Sequence, residues 1–417
     1  MIYKKCATRC AAFLLLFAGN AAFSMNITRP YDSLIRAETA PNYRMQVVGL
    51  GQASVSDAKS FDENGCRVNV LRIWDEDQNS LKMLDGFADS SAIGQRRILV
   101  NANDDGVRGH YLVDGDLSAH GFALSGRWSL PKGFSIATHF PFYFMRLQNV
   151  SWCEQTKDIT ADDARTKEYL TNDFFTNVCT LGDGLWIGDW KRSGFGDMSL
   201  FVEWLENFRQ DKKVLKNVRV NGRAGLVIPT GKPKDENKIF ALPFGNDGAV
   251  GAVFGAGIDL TFGTFARAGL DVQLSHVFAN SRCRRIKTNE DQTELLLLAK
   301  TDVMRDFGLA QQFTLYGELY RLWNRLSFKL GYQFSRHGED LLYLFDQTYS
   351  ERIANTANSL EEWTMHNFFV SLSYDHLRED NEGSRVHPYV SLFAKIPFNG
   401  KFSALVNTIG VVVSIDF

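Results

Sequence analysis

The last residues of the chain alternate between two kinds of position. Ile409, Val411, Val413 and Ile415 form one series, and Gly410, Val412, Ser414 and Asp416 form the other. Successive side chains of a β-strand point to opposite sides, so this spacing predicts a strand with one apolar face, ending the chain at the aromatic Phe417. A strand of a soluble sandwich has the same spacing, and only recurrence of the pattern can separate the two classes.

The alternation recurs in longer form within the chain. In residues 264–278, apolar side chains such as Leu270 and Val272 alternate with polar ones such as Arg267 and Asp271. Residues 249–262 and 325–336 repeat the pattern. Strands of this length with one apolar and one aqueous face are typical of membrane β-barrels, whose wall separates lipid from a polar interior.

Twelve segments of this kind can be assigned along the chain. They are residues 66–74, 112–130, 133–147, 194–207, 218–230, 249–262, 264–279, 307–321, 325–337, 364–375, 386–396 and 402–417. Met45 to Ser56 and Gln95 to Ala102 are two further candidates that would raise the count to fourteen. Short turns at Pro131-Lys132, Gly263 and Trp323-Asn324 alternate with long polar stretches at 148–193, 231–248, 280–306 and 338–363. We therefore predict an all-β, antiparallel transmembrane barrel with short periplasmic turns and long outer loops.

Composition supports a membrane barrel over a bundle of membrane helices. The chain of 417 residues is 45% hydrophobic, yet its mean hydropathy is −0.19, so its apolar residues are interleaved with polar ones. After residue 24, no apolar run approaches the roughly 20 residues that a spanning helix needs. The formal net charge of −2 gives no indication of nucleic-acid binding.

The first 24 residues have the features of a cleaved secretory leader. Lys4, Lys5 and Arg9 precede a short apolar stretch, and Ala22-Phe23-Ser24 fits the small-x-small pattern of a cleavage site. We expect residues 25–64 to form a periplasmic or plug-like segment and residues 65–417 to form the barrel.

Charged side chains within the predicted strands should point into the lumen, because hydrocarbon does not solvate charge. The candidate lumen-lining residues are Asp197, Glu203, Arg219, Arg223, Asp259, Arg267, Asp271, Glu318, Lys329 and Asp375. With a symmetric turn at Gly263, Asp259 would lie opposite Arg267, and a symmetric turn at residues 323–324 would bring Glu318 near Lys329. Such pairs either brace the wall or line a constriction that selects solutes.

Four cysteines follow the leader: Cys66, Cys153, Cys179 and Cys283. An even number in an oxidising compartment allows three disulfide pairings, and we favour Cys153 with Cys179 because both fall in one predicted loop. None has the spacing of metal ligands, and we expect neither a metal nor another cofactor.

Two motifs resemble a known family. Gly194-Phe-Gly-Asp197 opens one strand, and Leu226-Val-Ile-Pro-Thr-Gly231 ends the next, before the glycine-rich pair at 251–262 and 264–278. This order resembles the outer-membrane channels associated with degradation of phenol and other aromatic compounds, which are distant relatives of the long-chain fatty acid transporters. The resemblance covers about residues 190–335 and implies passage of small, partly apolar molecules across the outer membrane.

We therefore expect a non-enzymatic outer-membrane channel for small solutes that contacts lipid and the barrel-assembly machinery, with Phe417 as the assembly signal. One alternative is a binding or adhesive barrel acting through its outer loops. Another is a lipid hydrolase using Ser118 with His120 or Ser275 with His276, but no Gly-x-Ser-x-Gly motif occurs. The sequence leaves open the solute, its direction of passage, whether the pore is plugged, and the oligomeric state.

Overall fold

A computed structural model describes residues 32–37, 43–55, 58–320, 322, 325–375 and 386–417. The predicted leader at 1–24 and the predicted turn at 323–324 lie outside these residues. The strands, in chain order, are β1 (Met45–Ser54), β2 (Lys59–Phe61), β3 (Arg67–Asn69), β4 (Gln78–Asn79), β5 (His110–Ser129), β6 (Phe134–Glu154), β7 (Trp190–Phe195), β8 (Met198–Arg209), β9 (Leu215–Ile228), β10 (Gly251–Phe262), β11 (Ala266–Val277), β12 (Asn280–Arg285), β13 (Lys300–Asp306), β14 (Ala310–Leu319), β15 (Leu326–His337), β16 (Leu341–Leu344), β17 (Trp363–Asp375), β18 (His387–Lys401), β19 (Ser403–Leu405) and β20 (Thr408–Asp416).

Twelve antiparallel strands close into a barrel. Around the wall the order is β1, β5, β6, β8, β9, β10, β11, β14, β15, β17, β18 and β20. The sheet closes where β1 pairs with β20, from Gln46 opposite Asp416 to Ser54 opposite Thr408. Met45 and Phe417 extend this seam with two reciprocal backbone hydrogen bonds of 3.0 and 2.9 Å. The predicted barrel of about twelve strands is confirmed.

The two faces of the wall differ as the alternation predicts. Phe254, Leu315 and Leu330 are 56, 56 and 51% exposed on the outer face, where no protein covers them. Ser414 and Asp416 of the last strand are buried, whereas their neighbours Val413 and Ile415 are exposed. A wall with an apolar exterior and paired backbone groups suits a lipid environment, because hydrocarbon offers no hydrogen bonds.

The identity of the first wall strand corrects the sequence-based prediction. Residues 66–74 are not a wall strand: they form the short β3 and a 3₁₀ turn at Val70–Arg72, whose N-cap Asn69 accepts a hydrogen bond from the backbone of Leu71. Val70, Leu71 and Ile73 are buried in a core that joins the outer connections to the inner face of β5 and β6, so their apolar spacing reflects that core. Strand β1 occupies the predicted wall position, and the wall thus begins at Met45 rather than at residue 65.

The other extra candidate, Gln95 to Ala102, is mostly helical. Helix α1 (Ala92–Val100) begins at Ser91, whose hydroxyl accepts a hydrogen bond from the backbone of Gly94. The remaining helices are α2 (Ala161–Thr166), a π-helical turn at Lys167–Thr171, α3 (Phe174–Leu181) and α4 (Glu351–Ala354). Further 3₁₀ turns lie at Lys82–Leu84, Pro131–Gly133, Glu294–Leu296 and Asn358–Leu360.

The long connections at one end of the barrel fold together into a cap, which we define as residues 58–109, 155–189, 229–250, 278–309, 338–362 and 402–407. Its core joins segments far apart in sequence, including Leu84, Leu170, Phe240 and Leu296. Strands β12, β13 and β16 form one small sheet of the cap, and β19, β2 and β3 form another. The described loops at this end are therefore ordered by packing rather than free in solvent.

The favoured disulfide between Cys153 and Cys179 is absent, and all four cysteines of the described chain are free. Trp152 packs against Phe174 of helix α3, with ring centroids 5.4 Å apart. Because neighbouring strand residues face opposite ways, Cys153 points away from the helix that carries Cys179. Membership of one loop was too weak a criterion, since it ignored the direction of the side chains.

This arrangement predicts the reactivity of Cys153. Its side chain is exposed, so a water-soluble maleimide should label it in the folded, non-reduced protein. Mass spectrometry of the labelled protein provides the measurement, with Cys153→Ser as the control. Protection of Cys153 that disappears after reduction would show that a disulfide forms instead.

Candidate functional site

Residues 32–37 lie inside the barrel and bridge opposite walls; we call them the lumen segment. At one end, the Asp32 carboxylate accepts a hydrogen bond of 2.9 Å from Lys395 on β18 and one of 3.1 Å from Gln333 on β15. At the other end, Arg36 donates a hydrogen bond of 2.8 Å to Glu203 on β8. The segment therefore crosses the lumen between these walls.

Glu203 is the central anion of this site. Its Oε2 accepts hydrogen bonds of 2.8 Å from both Arg36 and Arg127, and one of 3.2 Å from Ser135. Arg127 also donates to the carbonyl oxygen of Ala37 at 3.1 Å. Because Glu203 and Arg127 are both buried, removing one charge would leave the others without compensation in a low-dielectric environment.

Apolar contacts hold the lumen segment as well. Leu34 and Ala37 are buried in a cluster with Phe369, Phe393 and Val412, which face inward from β17, β18 and β20. Gly331 on β15 permits the close approach, because a Cβ atom there would lie 2.9 Å from Leu34. The segment thus combines charged anchors at its ends with an apolar contact between them.

Most of the predicted inward charges form ion pairs along one part of the wall. Their shortest contacts are Arg223 with Asp271 at 2.6 Å, Arg219 with Asp259 at 2.7 Å and Arg267 with Glu318 at 2.8 Å. Each pair joins different strands, so together they connect β9, β10, β11 and β14. This arrangement neutralises charge within the wall.

The register corrects one of the expected pairs. The turn after β10 places Phe262 opposite Ala266, so Asp259 lies opposite Gly269, and Arg267 lies opposite Thr261. Arg267 still approaches Asp259 diagonally, at 3.9 Å. The centre of the turn therefore lies one residue later than predicted. The residue directly opposite Asp259 is Arg219 on the preceding strand.

Glu318 and Lys329 are directly opposite each other, as a symmetric turn requires. The shortest ion pair of Glu318 is nevertheless with Arg267, and the Lys329 ammonium lies 5.2 Å from the ring centre of Tyr316. Asp375 lies at the short-turn end, where its carboxylate is 2.6 Å from Nε2 of His387.

Asp197 has a different position from the other candidates. Strands β7 and β8 lie in line along β6 and are separated by Gly196 and Asp197. Here Asp197 accepts hydrogen bonds from the backbone of Gly231 at 2.8 Å and of Asn246 at 2.5 Å. The Gly-Phe-Gly-Asp motif is thereby connected to the loop that follows Pro-Thr-Gly, and Asp197 braces the rim instead of lining the lumen.

A cavity of about 140 Å³ adjoins the lumen segment. Apolar side chains, among them Ile35, Leu50 and Val412, form part of its lining. Five carboxamides line it beside the ion-paired Asp32, Arg36, Arg127 and Lys395: Gln46, Gln52, Gln312, Gln333 and Asn367. This lining is amphipathic, and its amides can form hydrogen bonds without carrying charge.

The cap closes the outer side of this cavity. Met365 lines the cavity and packs with Trp363, Phe402 and Trp74, the last of which belongs to the cap. Tyr143 also lines the cavity and belongs to the cap core. The cavity therefore lies between the lumen segment and the cap.

Within the cap, the carboxylates of the buried Asp340 and the half-buried Asp75 are in contrasting environments. For Asp340, burial opposes ionisation, but Arg305, His337 and the backbone of Gly308 outweigh it and lower the pKa to about 2. For Asp75, burial and the nearby Glu294 raise the pKa to about 7, although the carboxylate accepts a hydrogen bond of 2.8 Å from the Glu294 backbone. Asp75 joins two cap connections, and its charge state therefore affects their contact.

The raised pKa of Asp75 predicts a pH-dependent cap. Its stabilising contribution is fully present below its ordinary pKa of 3.8 and is lost as the pH rises through about 7, because the folded state holds the proton more tightly. Asp75→Asn should remove this decline, making the cap more stable at pH 8 by on the order of 2 kcal/mol. Urea titrations followed by tryptophan fluorescence at pH 5 and pH 8 provide the measurement. Asp173→Asn, on an exposed residue of the cap, is the control; equal pH dependence in both variants would contradict the assignment.

Sequence reasoning missed the residues that hold the lumen segment. Arg127 and Lys395 lie in predicted strands, at positions that alternate with the apolar outer face, so strand periodicity could have identified them. Asp32 and Arg36 precede the first strand and belong to no periodic segment, so nothing in the pattern marked them.

The serine and histidine candidates for a lipid hydrolase lie on the wall strands. Ser118 and His120 occupy outward positions, and Ser275 and His276 face opposite sides of the wall.

No group of three or more His, Cys, Asp or Glu side chains in the described part of the chain is placed to hold a metal ion. A search of the described residues for long apolar helices finds none suited to crossing a membrane.

Comparison with known proteins identifies the fold. No protein-family model matches the chain, and no curated protein matches it. The crystal structure of an outer membrane channel from Pseudomonas putida F1 aligns over 93% of this chain and 99% of its own, with a TM-score of 0.50 and 12% identity. The transport unit of the autotransporter AIDA-I from Escherichia coli covers 94% of this chain and 95% of its own, with a TM-score of 0.37 and 8% identity. The toluene transporter TodX of Pseudomonas putida covers 91% of each chain, with a TM-score of 0.31 and 9% identity.

The two lower scores do not establish a common arrangement of strands and loops. The likeness to the P. putida F1 protein extends over nearly the whole of both chains, and it confirms at the level of the fold the expected resemblance to outer-membrane channels. The chain therefore has the fold of an outer membrane channel.

Proposed function

We propose that the protein is an outer-membrane channel for small, partly apolar solutes. The observation that carries this proposal is the amphipathic cavity inside a closed wall, between the cap and the lumen segment. Solutes with an apolar body and a few uncharged polar groups match the mixture of aliphatic side chains and carboxamides that lines it.

The charges around the cavity also favour uncharged solutes. Glu203 is engaged by Arg36 and Arg127, and Asp32 is engaged by Lys395. A charged solute would have to compete with these established pairs, whereas a neutral solute can use the carboxamides and the apolar surface.

Passage through the lumen requires displacement of the lumen segment. Its two ends are bound to opposite walls, and its centre packs on inward-facing aromatic rings. We infer that the channel is closed while these contacts hold and conducts when the segment moves aside. A small number of hydrogen-bonded ion pairs and one apolar contact hold the segment in place. The free energy of binding a solute can offset the loss of these contacts.

The apolar exterior supports a location in the outer membrane, with lipid against the wall. We further propose that barrel-assembly machinery inserts the chain and reads Phe417 as its recognition signal, a role that the position of Phe417 at the seam with Met45 supports. The fold comparison supports the same location, because the aligned protein is an outer membrane channel.

Weakening the two charged anchors should open the channel. In the variant Asp32→Asn/Arg36→Gln, loss of about 1 to 2 kcal/mol of anchoring should raise the frequency of open events by about tenfold, because 1.4 kcal/mol corresponds to a factor of ten. Planar-bilayer recordings of the purified full-length protein measure open events. Liposome flux of a neutral, partly apolar solute should increase in parallel.

Glu318→Gln is the matched control, because it removes a wall ion pair that does not contact the lumen segment. It should leave the frequency of open events close to that of the parent protein. A folded parent protein with neither conductance nor solute flux, together with a silent double variant, would contradict the channel function.

The seam predicts a separate role for Phe417. Deleting it removes the backbone hydrogen bonds to Met45 and the proposed assembly signal, so the amount of heat-modifiable barrel in the outer membrane should fall several-fold. Channels that do assemble should conduct normally, because the side chain of Phe417 is exposed and does not line the lumen cavity. Phe417→Tyr keeps the backbone and an aromatic ring and serves as the control. Normal membrane levels of the deletion variant would exclude this role.

A further inference from the structure

The end of the barrel opposite the cap carries an excess of positive charge along one arc, which we call the basic rim and define as residues 44, 129–134 and 205–216. The chain as a whole has a formal net charge of −2, yet six cations lie in this arc against two anions, Glu206 and Asp211. The six cations are all exposed, and none forms an ion pair within the described part of the chain. They are Arg44, Lys132, Arg209, Lys212, Lys213 and Lys216.

The basic rim has the shape of a corner. Strand β8 pairs with β6 only as far as Trp204 opposite Phe134, whereas β8 and β9 stay paired as far as Arg209 opposite Asn217. The β8–β9 hairpin therefore projects beyond the β5–β6 turn. Gly133 of that turn packs so closely on the Leu205 carbonyl that a Cβ atom would collide with it. Cations of the turn and of the hairpin thus lie on two sides of one corner.

Exposed aromatic side chains beside this corner mark the level of the membrane surface. Trp128, Phe134 and Phe208 are 55, 44 and 47% exposed, at outward positions near the ends of their strands. Aromatic residues concentrate where a membrane protein meets the lipid headgroups. Lys216 has an outward position on β9, beyond Val218, the residue opposite Phe208. The basic rim therefore lies at the level of the headgroups.

A shallow groove of about 550 Å³ crosses the outer wall and begins at this corner. Phe134 and Trp204 border it at the corner, and Phe254 borders it farther along the wall. Its floor includes Gly222 and Ala256, which lie opposite each other on β9 and β10. The volume is within the range of ligand pockets, roughly 300 to 1,000 Å³.

The side chains that face this groove are uncharged. Glu203 and Arg223 also border it, but their side chains turn to the interior of the barrel, where they pair with Arg127 and Asp271. The outward positions of the lining are apolar, so the groove suits a flexible hydrocarbon chain.

We propose that the basic rim and the wall groove together bind an anionic phospholipid of the adjacent leaflet. Its phosphate group contacts the cations of the corner, and one acyl chain lies in the groove. A zwitterionic phospholipid fills the groove equally well but gains less at the cations, because its own ammonium group offsets the phosphate charge. A soluble acidic partner would match the cations alone, whereas a lipid matches the cations and the adjoining groove. This site lies on the lipid side of the wall and is separate from solute passage.

Quenching of tryptophan fluorescence by brominated phospholipid measures this contact, because bromine quenches at short range and Trp128 and Trp204 lie beside the corner. The purified full-length protein is reconstituted into phosphatidylcholine vesicles that contain increasing fractions of brominated phosphatidylglycerol or brominated phosphatidylcholine. The apparent binding constant should favour phosphatidylglycerol by at least about threefold, and roughly 0.5 M NaCl should remove most of this preference, because salt screens exposed charges.

The variant Lys212→Gln/Lys213→Gln/Lys216→Gln should bring the preference close to one, because half of the cations of the basic rim are lost. Lys157→Gln/Arg165→Gln/Arg352→Gln is the matched control, because it removes three exposed cations of the cap and changes the net charge equally. It should retain the preference of the parent protein. Heat-modifiable gel mobility verifies that each variant is folded.

A second pair of variants tests the groove without changing charge. Gly222 and Gly317 both have open space where a side chain would begin, but only Gly222 lines the groove. Gly222→Leu should fill the groove and lower the binding constant for phosphatidylglycerol at least about twofold, because the acyl chain loses apolar contact. Gly317→Leu, at an outward position of β14, should leave it unchanged.

No preference in the parent protein, a preference that resists salt, or an undiminished preference in the folded hairpin variant would each overturn the proposal. Equal losses in the hairpin variant and its cap control, or in the two glycine variants, would also overturn it. Retention of the protein on immobilised polyglutamate without any lipid preference would assign the basic rim to a soluble acidic partner instead. Conductance is measured separately, so failure of this site leaves the channel function intact.

Discussion

Every backbone amide and carbonyl within the hydrocarbon region must find a partner inside the protein, and the rest of the structure depends on this constraint. The seam between β1 and β20 satisfies it by leaving no open edge in the wall. Closure then fixes the two environments of the side chains. Residues such as Leu315 and Leu330 face lipid, whereas Glu203 and Asp271 are confined to the interior.

Confinement of charge explains the ion pairs of the lumen. In a narrow barrel, inward carboxylates and guanidinium groups are only partly hydrated, so they are stable when groups on different strands neutralise one another. Asp271 with Arg223 and Asp259 with Arg219 do so entirely within the wall. Glu203 differs because one of its partners, Arg36, comes from outside the wall. Neutralisation of inward charges thus stabilises the wall and, through Glu203 and Arg36, also binds the lumen segment.

Strand periodicity was sufficient to predict the wall, because each lipid-facing residue is under the same requirement to be apolar. Periodicity was insufficient where apolar residues pack in a second core, that of the cap, instead of facing lipid. Val70, Leu71 and Ile73 have the spacing of a wall strand, yet they are buried in the cap. Periodicity does not specify which way the Cys153 side chain points. It also does not specify turn geometry, which moves the centre of the turn at Gly263 by one residue. The side chains that bind Asp32, those of Gln333 and Lys395, are more than 300 residues away along the chain, and no local pattern encodes such contacts.

The short chain between the lumen segment and the first wall strand has a mechanical consequence. Ala37 and Met45 are eight residues apart, so a fully extended linker between them spans at most about 27 Å. A released lumen segment therefore remains attached to the rim of the barrel, where β1 begins. Such a short tether keeps the local concentration of the segment high, on the order of millimolar. If the lumen segment moves aside as proposed, its return is therefore an intramolecular event that needs no second component.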